Sequence, residues 1–457
     1  MRVERRHLLA LLIVAAAAFA VLILTGKRPA DPDATDARQY LLAGYNLATT
    51  GVFSQAGTAE PLPGLGREPG YGVVLAGLMR LDPGLAGFTP DCLTPARYCT
   101  ALYASAQWLN AAFVVAAGLF VFFTARRLFG GVAVPWLAAL HLWFNREAQN
   151  EMFYVISDFL ALCLAALAAF TLTWAWRRGA VAWAAPAAAL AALSLVKAVF
   201  LYVALPALAL GLGVALVRRD RRALLAVAVA AVIYAVPVGG WMARNQAVGG
   251  TFALTEARGG VALSTREVFN HMTPPQYAAA FVYWTRGFGD GLARDLFDEA
   301  TWAPFELYAP DGFYLRGQLG YGEMVEALIA REGLDEAAAR ARIDDDLIDA
   351  ILERPLTHVA TTLPLFWRGL WIDELIVISF PALLWLTVWA ARRRRGDVLA
   401  ALAVGWFSLV FYAAFSLNIP RYQLTALPTL ALAFGWGVAG LWAWGTKKAA
   451  RRAAARH

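Results

Sequence analysis

The sequence predicts an all-α polytopic membrane protein, and three observations indicate this fold class. Of the 457 residues, 60% are hydrophobic and 16% are charged, whereas soluble domains are about 45–50% apolar and about 25% charged. Apolar segments of roughly membrane-spanning length recur along the chain. Short runs of Arg and Lys separate them, as in the cytoplasmic loops of membrane proteins. The net charge of +7 therefore gives no reason to expect a nucleic-acid partner.

Ten apolar segments account for a predicted bundle of about ten transmembrane helices. They are residues 8–25, 101–123, 132–144, 152–174, 180–196, 198–217, 223–238, 375–391, 398–417 and 424–444. A basic N-terminus keeps the start of the first segment in the cytoplasm, and alternation then places every strong basic run on that side. Those runs begin at Arg126, Arg177, Arg218, Arg392 and Lys447. We therefore expect an integral cytoplasmic (inner) membrane protein with both termini cytoplasmic. A cleaved signal peptide is the alternative for the first segment.

The polar stretches divide the chain into three predicted parts. Residues 1–243 form an N-terminal transmembrane module, whose first outer loop is 27–99. Residues 244–371 form an extracytoplasmic helical region, and residues 372–457 form the C-terminal transmembrane helices with a basic cytoplasmic tail. Within the second part, residues 335–355 alternate charged and apolar side chains at helical spacing, which predicts an amphipathic helix.

The cysteines and acidic runs predict no metal site. Cys163 lies in an apolar segment and is interpreted as packing. Cys92 and Cys99 flank a short outer loop, where a disulfide and two free thiols both remain open. Residues 31–33 (Asp-Pro-Asp) have the spacing of a DxD metal motif, but they follow the first apolar segment directly and are interpreted as solvated. The acidic run 344–346 is interpreted as the solvated face of the amphipathic helix.

The first outer loop holds the strongest candidate site. Asp36 opens the segment DARQYLLAGYNLA, whose apolar residues recur at helical spacing. Its carboxylate either stabilises the N-terminus of that helix or acts as a general base. Further on, Arg67, Glu68 and Tyr71 surround a Pro-Gly pair that begins a second apolar helix. This cluster is either a turn with a solvated ion pair or a binding site in which Arg67 and Tyr71 contact an anionic group.

Five further polar residues are predicted near the same membrane face. They are Asp158, Lys197, Arg244, Arg421 and Tyr422. Ionisable residues in membrane helices are rare and usually paired, so Asp158 and Lys197 either bind substrate or satisfy each other. Lys197 can alternatively extend its ammonium group to the interface, and for the two arginines the alternative is an interfacial anchor. The lone histidines His271 and His358 are interpreted as structural.

Taken in order, these pieces resemble the GT-C-fold glycosyltransferases, of the branch related to protein O-mannosyltransferases and lipid A aminoarabinose transferases. The resemblance lies in the stretches DARQYLLAGYNLATTGVFS, REPGYGVVLAGL, SDFLALCLAALA, LAALSLVKAVFLYVALPALAL, PVGGWMARNQAVGGTFALTEARGGVAL and PRYQLTALPTLALAFGWG. It covers most of the membrane part and is weak across 267–353. At Lys197 the family usually has Arg, in the pattern Leu-x-Arg-Pro, and Lys keeps the charge but loses the planar fork.

The resemblance implies a GT-C-like bundle with extracytoplasmic interfacial helices and transfer of a sugar from a polyprenyl-phosphate carrier to an acceptor outside the cytoplasm. Asp36 occupies the place of the family's catalytic base and would take the proton from an acceptor hydroxyl. The other candidates would bind substrate: Arg67, Glu68, Tyr71, Asp158, Lys197, Arg244, Arg421 and Tyr422. The implied partners are the lipid-linked sugar donor, a glycan, lipid or protein acceptor, and membrane lipids, with no cofactor besides the donor and no obligatory metal.

The competing hypothesis is a polytopic transporter or a flippase for lipids or glycans, since about ten spans with intramembrane charges suit it equally. Many transporters contain internal inverted repeats with a site at the membrane midplane. This sequence has no detectable repeat, its loops are asymmetric, and its polar groups gather at one face, which favours the enzyme. A non-catalytic subunit of a glycan-assembly complex is a third alternative.

Overall fold

The computed structural model describes residues 5–27, 36–82, 85, 89, 100–256 and 258–454, and within them the chain is helical with no strand. Helices of the first half are α1 Arg5–Thr25, α2 Asp36–Thr49, α3 Pro69–Leu81, α4 Thr100–Phe129, α5 Ala133–Trp143, α6 Arg146–Glu151, α7 Asp158–Ala175, α8 Ala184–Val196, α9 Leu201–Val217 and α10 Arg221–Gly249. Helices of the second half are α11 Arg258–Asn270, α12 Pro274–Tyr283, α13 Gly289–Leu296, α14 Glu299–Trp302, α15 Phe313–Glu332, α16 Glu336–Glu353, α17 Pro355–Leu370, α18 Ile376–Arg392, α19 Gly396–Phe415 and α20 Leu427–Ala454. Short 3-10 turns occupy Ala180–Trp183, Ala198–Phe200, Ala303–Phe305 and Pro420–Ala426.

The prediction of an all-α membrane protein is confirmed, because seven helices within the described part of the chain are long and apolar enough to cross a bilayer. These spans are Leu8–Thr25, Tyr103–Phe129, Asp158–Ala175, Ala198–Val217, Arg221–Gly249, Gly396–Phe415 and Pro420–Thr446. The remaining three of the ten predicted segments also contain helices, namely α5, α8 with its preceding 3-10 turn, and α18, but these are shorter. The interpretations of residues 31–33, Cys92 and Cys99 fall outside the described residues.

The chain divides into two compact units. The first comprises Met1–Glu256, Leu375–Trp406 and Leu424–His457, and the second comprises Ala257–Glu374 and Phe407–Gln423. The first unit thus joins the predicted N-terminal module to most of the predicted C-terminal one. The second unit takes up residues 257–371 of the predicted extracytoplasmic region, whereas 244–256 belong to the first unit. It also includes 372–374, the last part of α19 and the residues that follow as far as Gln423.

In the first unit, α2 packs closely against α3 and α3 packs against α8, and this packing requires glycine. A Cβ at Gly44 of α2 would lie 2.7 Å from the Leu75 Cβ of α3. A Cβ at Gly70 would lie 2.5 Å from Val196 Cγ2 at the end of α8, far inside van der Waals contact. Both helices begin where the sequence predicts, α2 at Asp36 and α3 at Pro69 in its first position. The candidate residues of the first loop are therefore held by short, tightly packed helices.

The second unit has a core of aromatic side chains from several helices, including Phe269, Trp284, Phe305 and Phe313. Its amphipathic helix α16 was predicted from the charge pattern and is confirmed. One detail of the predicted solvated acidic face is wrong: Asp344 is half-buried and accepts a hydrogen bond of 2.9 Å from the Tyr321 hydroxyl. That hydroxyl reaches the first residue of the acidic run only, and the two acidic residues that follow are exposed.

A buried arginine organises the polar interior of the second unit. Arg266 of α11 is fully buried and donates to the backbone oxygens of Ala414 and His358, at 3.1 and 2.7 Å. It also donates to the side chains of Asn270, Thr361 and Thr362. This Arg266 network ties α11 to α17 and to the end of α19.

His358 is held neutral in that network. Asn270 Nδ2 donates to His358 Nδ1 over 3.2 Å, and the Asn270 amide cannot turn over because its oxygen already accepts from Arg266 and Thr361. Burial first, and then the charge of Arg266, lowers the pKa of His358 to about 4. The structural interpretation of His358 agrees with this environment.

Acidification is expected to destabilise the protein through His358. Because its pKa in the folded state lies below the ordinary value of about 6.5, the unfolded chain binds the proton first. The free energy of unfolding should therefore fall as the pH drops from about 6.5 towards 4. Thermal unfolding of the purified protein at pH 7.5 and pH 5 measures this, and His358→Gln should flatten the dependence. The exposed His271, changed to Gln, is the matched control; an equal effect of both variants would contradict the assignment.

Candidate active site

Asp36 begins α2, and its carboxylate is held by Arg67. The Arg67 guanidinium donates one N–H to Asp36 Oδ1 and another to Gln39 Oε1, the latter over 2.6 Å. The two ionic partners differ sharply in burial: the Arg67 side chain is 4% exposed and the Asp36 side chain is 37% exposed. A buried cation thus fixes a carboxylate that remains accessible. Arg67 is therefore not the solvated turn residue of the alternative interpretation, and Asp36 lies in the first turn of α2, where its carboxylate also stabilises the helix N-terminus.

Tyr40 lies at the centre of the charged groups, one helical turn after Asp36. The Arg67 guanidinium lies over the Tyr40 ring, 4.8 Å from its centroid, and the Tyr40 hydroxyl shares a hydrogen bond of 3.0 Å with the Ser157 hydroxyl. Burial above all, and then the charge of Glu68, raises the pKa of Tyr40, so that its hydroxyl stays protonated. Burial acts to lower the pKa of Arg67, but the surrounding Tyr40, Asp36 and Glu68 leave that pKa raised. Arg67 is consequently a permanent cation.

Asp158, the first residue of α7, forms the second ion pair of the site with Lys197. Lys197 Nζ lies 3.1 Å from Asp158 Oδ1, with side chains 20% and 7% exposed. The connection after α8 is itself held by the first loop, since the Ala198 N–H donates to Glu68 Oε1 over 3.0 Å. The predicted pairing of Asp158 with Lys197 is therefore present. Glu68 joins the helix α3 to the turn that carries Lys197.

Breaking this ion pair one partner at a time should cost more than removing both. Lys197→Met leaves Asp158 as a buried, uncompensated charge and is expected to cost about 3 kcal/mol or more, whereas the Asp158→Asn/Lys197→Met double variant should recover much of that loss. Unfolding in mixed micelles measures each free energy. The exposed pair Glu336–Arg340 is the control and should couple by about 0.3–0.5 kcal/mol. Additive effects at Asp158 and Lys197 would contradict the expectation.

The Tyr71 side chain is fully buried, and its contacts hold neighbouring elements together. Its hydroxyl donates to Asn110 Oδ1 over 3.1 Å, and Asn110 in turn donates to the backbone oxygens of Met152 and Tyr154. The Tyr71 ring meets the Tyr40 ring edge-on at 5.3 Å, and burial raises the pKa of Tyr71. Tyr71 therefore connects α3 to the segment that leads into α7, and its ring packs against the ring of Tyr40.

Arg244 of α10 braces the first loop rather than standing alone at the interface. Its guanidinium donates to the backbone oxygens of Gly64 and Phe53, at 2.8 and 3.3 Å. It also lies 4.8 Å from the ring centroid of Trp241. These contacts hold the loop segment that ends at Arg67.

Arg421 and Tyr422 belong to the second unit. They lie in the 3-10 turn Pro420–Ala426, where the Tyr422 ring packs 5.5 Å from the ring of Tyr412. The structure thus brings six of the nine predicted site residues into one connected cluster, adds Arg244 as a brace of its loop, and places the last two in the other unit. The six are Asp36, Arg67, Glu68, Tyr71, Asp158 and Lys197, and with Tyr40 and Ser157 we call them the Asp36 cluster.

Four members of the surroundings were not predicted as site residues: Gln39, Tyr40, Asn110 and Ser157. Tyr40 is one of the residues on the apolar face of the segment that Asp36 opens. A usable signal existed, because Tyr40 lies one turn after Asp36, and Ser157 directly precedes Asp158. Asn110 is one of three polar residues, with Ser105 and Gln107, in the largely apolar segment 101–123, which is itself a reason to expect a buried partner.

The arrangement can perform acid–base chemistry next to fixed positive charge. It offers an accessible carboxylate, two cations from different elements, and a protonated phenol, all within the first unit. Among the residues that the structure describes, no three His, Cys, Asp or Glu side chains converge as metal ligands. Arg67 and Lys197 are the charged donors of this cluster that an anionic ligand would contact, and each of them also pairs with a carboxylate.

Comparisons with known proteins find a similarity in structure but none in sequence. No protein-family model matches the chain, and no curated protein matches it in sequence. Among solved structures, the chain is similar to ArnT from Cupriavidus metallidurans, crystallised bound to undecaprenyl phosphate, with 16% sequence identity, a TM-score of 0.39, and coverage of 95% of this chain and 78% of that one.

Proposed function

We propose that the protein is an inverting glycosyltransferase that moves a sugar from a polyprenyl-phosphate carrier to an acceptor hydroxyl outside the cytoplasm. The observation that carries the proposal is Asp36, a carboxylate that begins a packed helix, stays 37% exposed, and is oriented by a buried arginine. A carboxylate fixed in this way can accept a proton from a hydroxyl that reaches it. The stretches that resemble GT-C-fold glycosyltransferases, and their order along the chain, support the same class of enzyme.

In the proposed reaction, Asp36 takes the proton of the acceptor hydroxyl as its oxygen attacks the anomeric carbon of the sugar. The bond between that carbon and the phosphate oxygen breaks on the opposite face, so the configuration inverts. The electron pair leaves with the polyprenyl phosphate, which gains negative charge. Cations held in a pre-formed site stabilise such a charge without reorganisation.

The Asp36 cluster suits this redistribution of charge. When Asp36 is neutralised by the proton, Arg67 loses its compensating carboxylate at the moment that charge develops on the leaving phosphate. Lys197 is the second cation, held in place by Asp158. In this proposal Arg67 and Lys197 bind the donor phosphate, while Glu68, Tyr71 and Arg244 hold the elements that carry them. Arg421 and Tyr422 remain proposed substrate-binding residues.

We propose that the protein resides in the cytoplasmic (inner) membrane, with both termini in the cytoplasm and the Asp36 cluster on the opposite face. The positive-inside distribution of the Arg and Lys runs supports this orientation. The proposed partners are the lipid-linked sugar, membrane lipids, and a glycan, lipid or protein acceptor.

The proposal is tested with the purified protein in detergent and a panel of polyprenyl-phosphate sugars. Mass spectrometry should detect polyprenyl phosphate released at the expense of the donor when a suitable acceptor is present. Comparison of extracytoplasmic glycans and glycolipids between cells with and without the protein should show the loss of one sugar mass and identify the acceptor. Movement of intact donor across vesicle membranes, with no bond cleavage, would instead support a flippase.

A further inference from the structure

An apolar stripe runs along the outside of the second unit. Leu356, Val359 and Leu363 of α17 follow one another at intervals of three or four residues. They are exposed, from 55% for Leu363 to 84% for Leu356. Residues at this spacing lie on one face of a helix. We call these three residues the α17 stripe.

The opposite face of α17 is already occupied. Thr361, Pro364, Leu365 and Gly369 are buried in the second unit. The α17 stripe is therefore a second apolar face, and the interior of the second unit does not account for it. Contiguous exposed apolar surface on a helix usually marks a site of contact with a protein or a membrane.

Three sets of contacts hold α17 against the end of a membrane span. The Arg266 network joins the His358 backbone oxygen to that of Ala414, near the end of α19. One turn further, Asn418 Nδ2 donates to the Leu365 backbone oxygen over 2.8 Å. Arg368 donates to the backbone oxygen of Leu417 over 3.0 Å. Because Gly396–Phe415 is one of the candidate spans, α17 is held at the depth where that span ends.

The exposed surface of the span adjoins α17. Val410 and Phe415, in the last two turns of α19, are 51% and 44% exposed. The Phe415 ring lies 6.4 Å from the ring of His358, which is next to Val359 in the α17 sequence. The exposed apolar side chains of Val410 and Phe415 therefore continue the apolar surface of α17. The exposed surface of a membrane span faces lipid.

We infer that the α17 stripe is a membrane-docking face, which lies in the boundary between the acyl chains and the headgroups of the bilayer. At 16 residues, α17 is too short for a standard span of about 20 residues. An amphipathic helix in this position buries its apolar face to a depth of about 5–10 Å. The stripe thereby anchors the second unit on the membrane surface independently of the chemistry proposed for the first unit.

Spin labels can locate the α17 stripe in the reconstituted full-length protein. Single cysteines at Val359 and Leu363, in a background with Cys92, Cys99 and Cys163 replaced, would carry a nitroxide in phosphatidylcholine–phosphatidylglycerol vesicles. The ratio of collisions with oxygen to collisions with a water-soluble nickel chelate should be severalfold higher at both sites than at Arg342→Cys, an exposed position of α16. It should approach the ratio at Val410→Cys.

Two other outcomes would overturn the inference. Nickel accessibility equal to that of Arg342→Cys would place the stripe in water. Protection from both reagents would place it against another protein, such as a second copy of the chain. The wild-type protein supplies a measurement that needs no variant: a lipid-soluble carbene should label the peptide containing 355–366 and spare 336–346, and an unlabelled 355–366 would equally refute membrane docking.

Discussion

Replacement of Asp36 by Asn is expected to reduce sugar transfer by about 10²–10⁴-fold, the usual contribution of a positioned general base. The amide keeps the shape of the side chain and can still accept a hydrogen bond from Arg67, but it cannot take up the acceptor proton. The initial rate of donor consumption by the purified variant measures the effect. Binding of the donor should change much less than the rate, because the proposed phosphate ligands are untouched.

The matched control for this variant is Asp335→Asn. Asp335 caps α16 by accepting a hydrogen bond from the Ala338 N–H, and it lies in the other unit. Asn is as good a cap as Asp, so this variant should retain both stability and transfer. A stabilising role of Asp36 alone would lower the unfolding temperature of Asp36→Asn without a specific loss of rate. Near-normal transfer by folded Asp36→Asn would remove Asp36 from the mechanism.

Replacement of Arg266 by Met is expected to produce a large loss of stability. Burial lowers the pKa of Arg266 to about 9, so the guanidinium is still charged at neutral pH and donates to five acceptors. Without it, two backbone oxygens and the Asn270 amide oxygen lose buried partners, each worth about 1–3 kcal/mol. The expected loss is about 3 kcal/mol or more, measured by thermal or denaturant unfolding.

Arg316→Met is the matched control, because Arg316 is an exposed residue of α15 in the same unit. It should change stability by no more than about 0.5 kcal/mol. Arg266→Lys should fall between the two, since Lys keeps the charge but cannot form the planar fork. Equal stability of the Met variants would show that the neutral acceptors around Arg266 find other partners. A selective loss of protection from proteolysis in the second unit would locate the effect.

Periodic patterns predicted the helices of this protein well. The helices that begin at Asp36 and Pro69 follow from an amphipathic repeat and from proline at the first helical position, and α16 follows from its alternation of charged and apolar residues. These signals are local, because a helix closes its hydrogen bonds within four residues. The local pattern did not predict the burial of Asp344, because that burial depends on Tyr321 of another helix.

The candidate site was only partly predictable, for a reason of distance along the chain. Asp36 and Arg67 are 31 residues apart, Glu68 and Ala198 are 130 apart, and Tyr40 and Ser157 are 117 apart. Residue type and position near one membrane face gave the pairing of Asp158 with Lys197 as one of two alternatives. They did not suggest that Arg67 holds Asp36, or that Arg244 braces the loop between them. Such pairings depend on helix packing, which no single-sequence pattern encodes.

By itself the sequence determined the helical membrane class, the positions of the apolar segments and the chemical types available at one face, because hydrophobicity, helical period and charge are local properties. Only the tertiary structure decided which carboxylate is held open by a buried cation, which tyrosine lies among the charges, and which apolar face of α17 remains uncovered. Those outcomes depend on close approach between distant helices, through positions such as Gly44 and Gly70 where a single added Cβ would not fit.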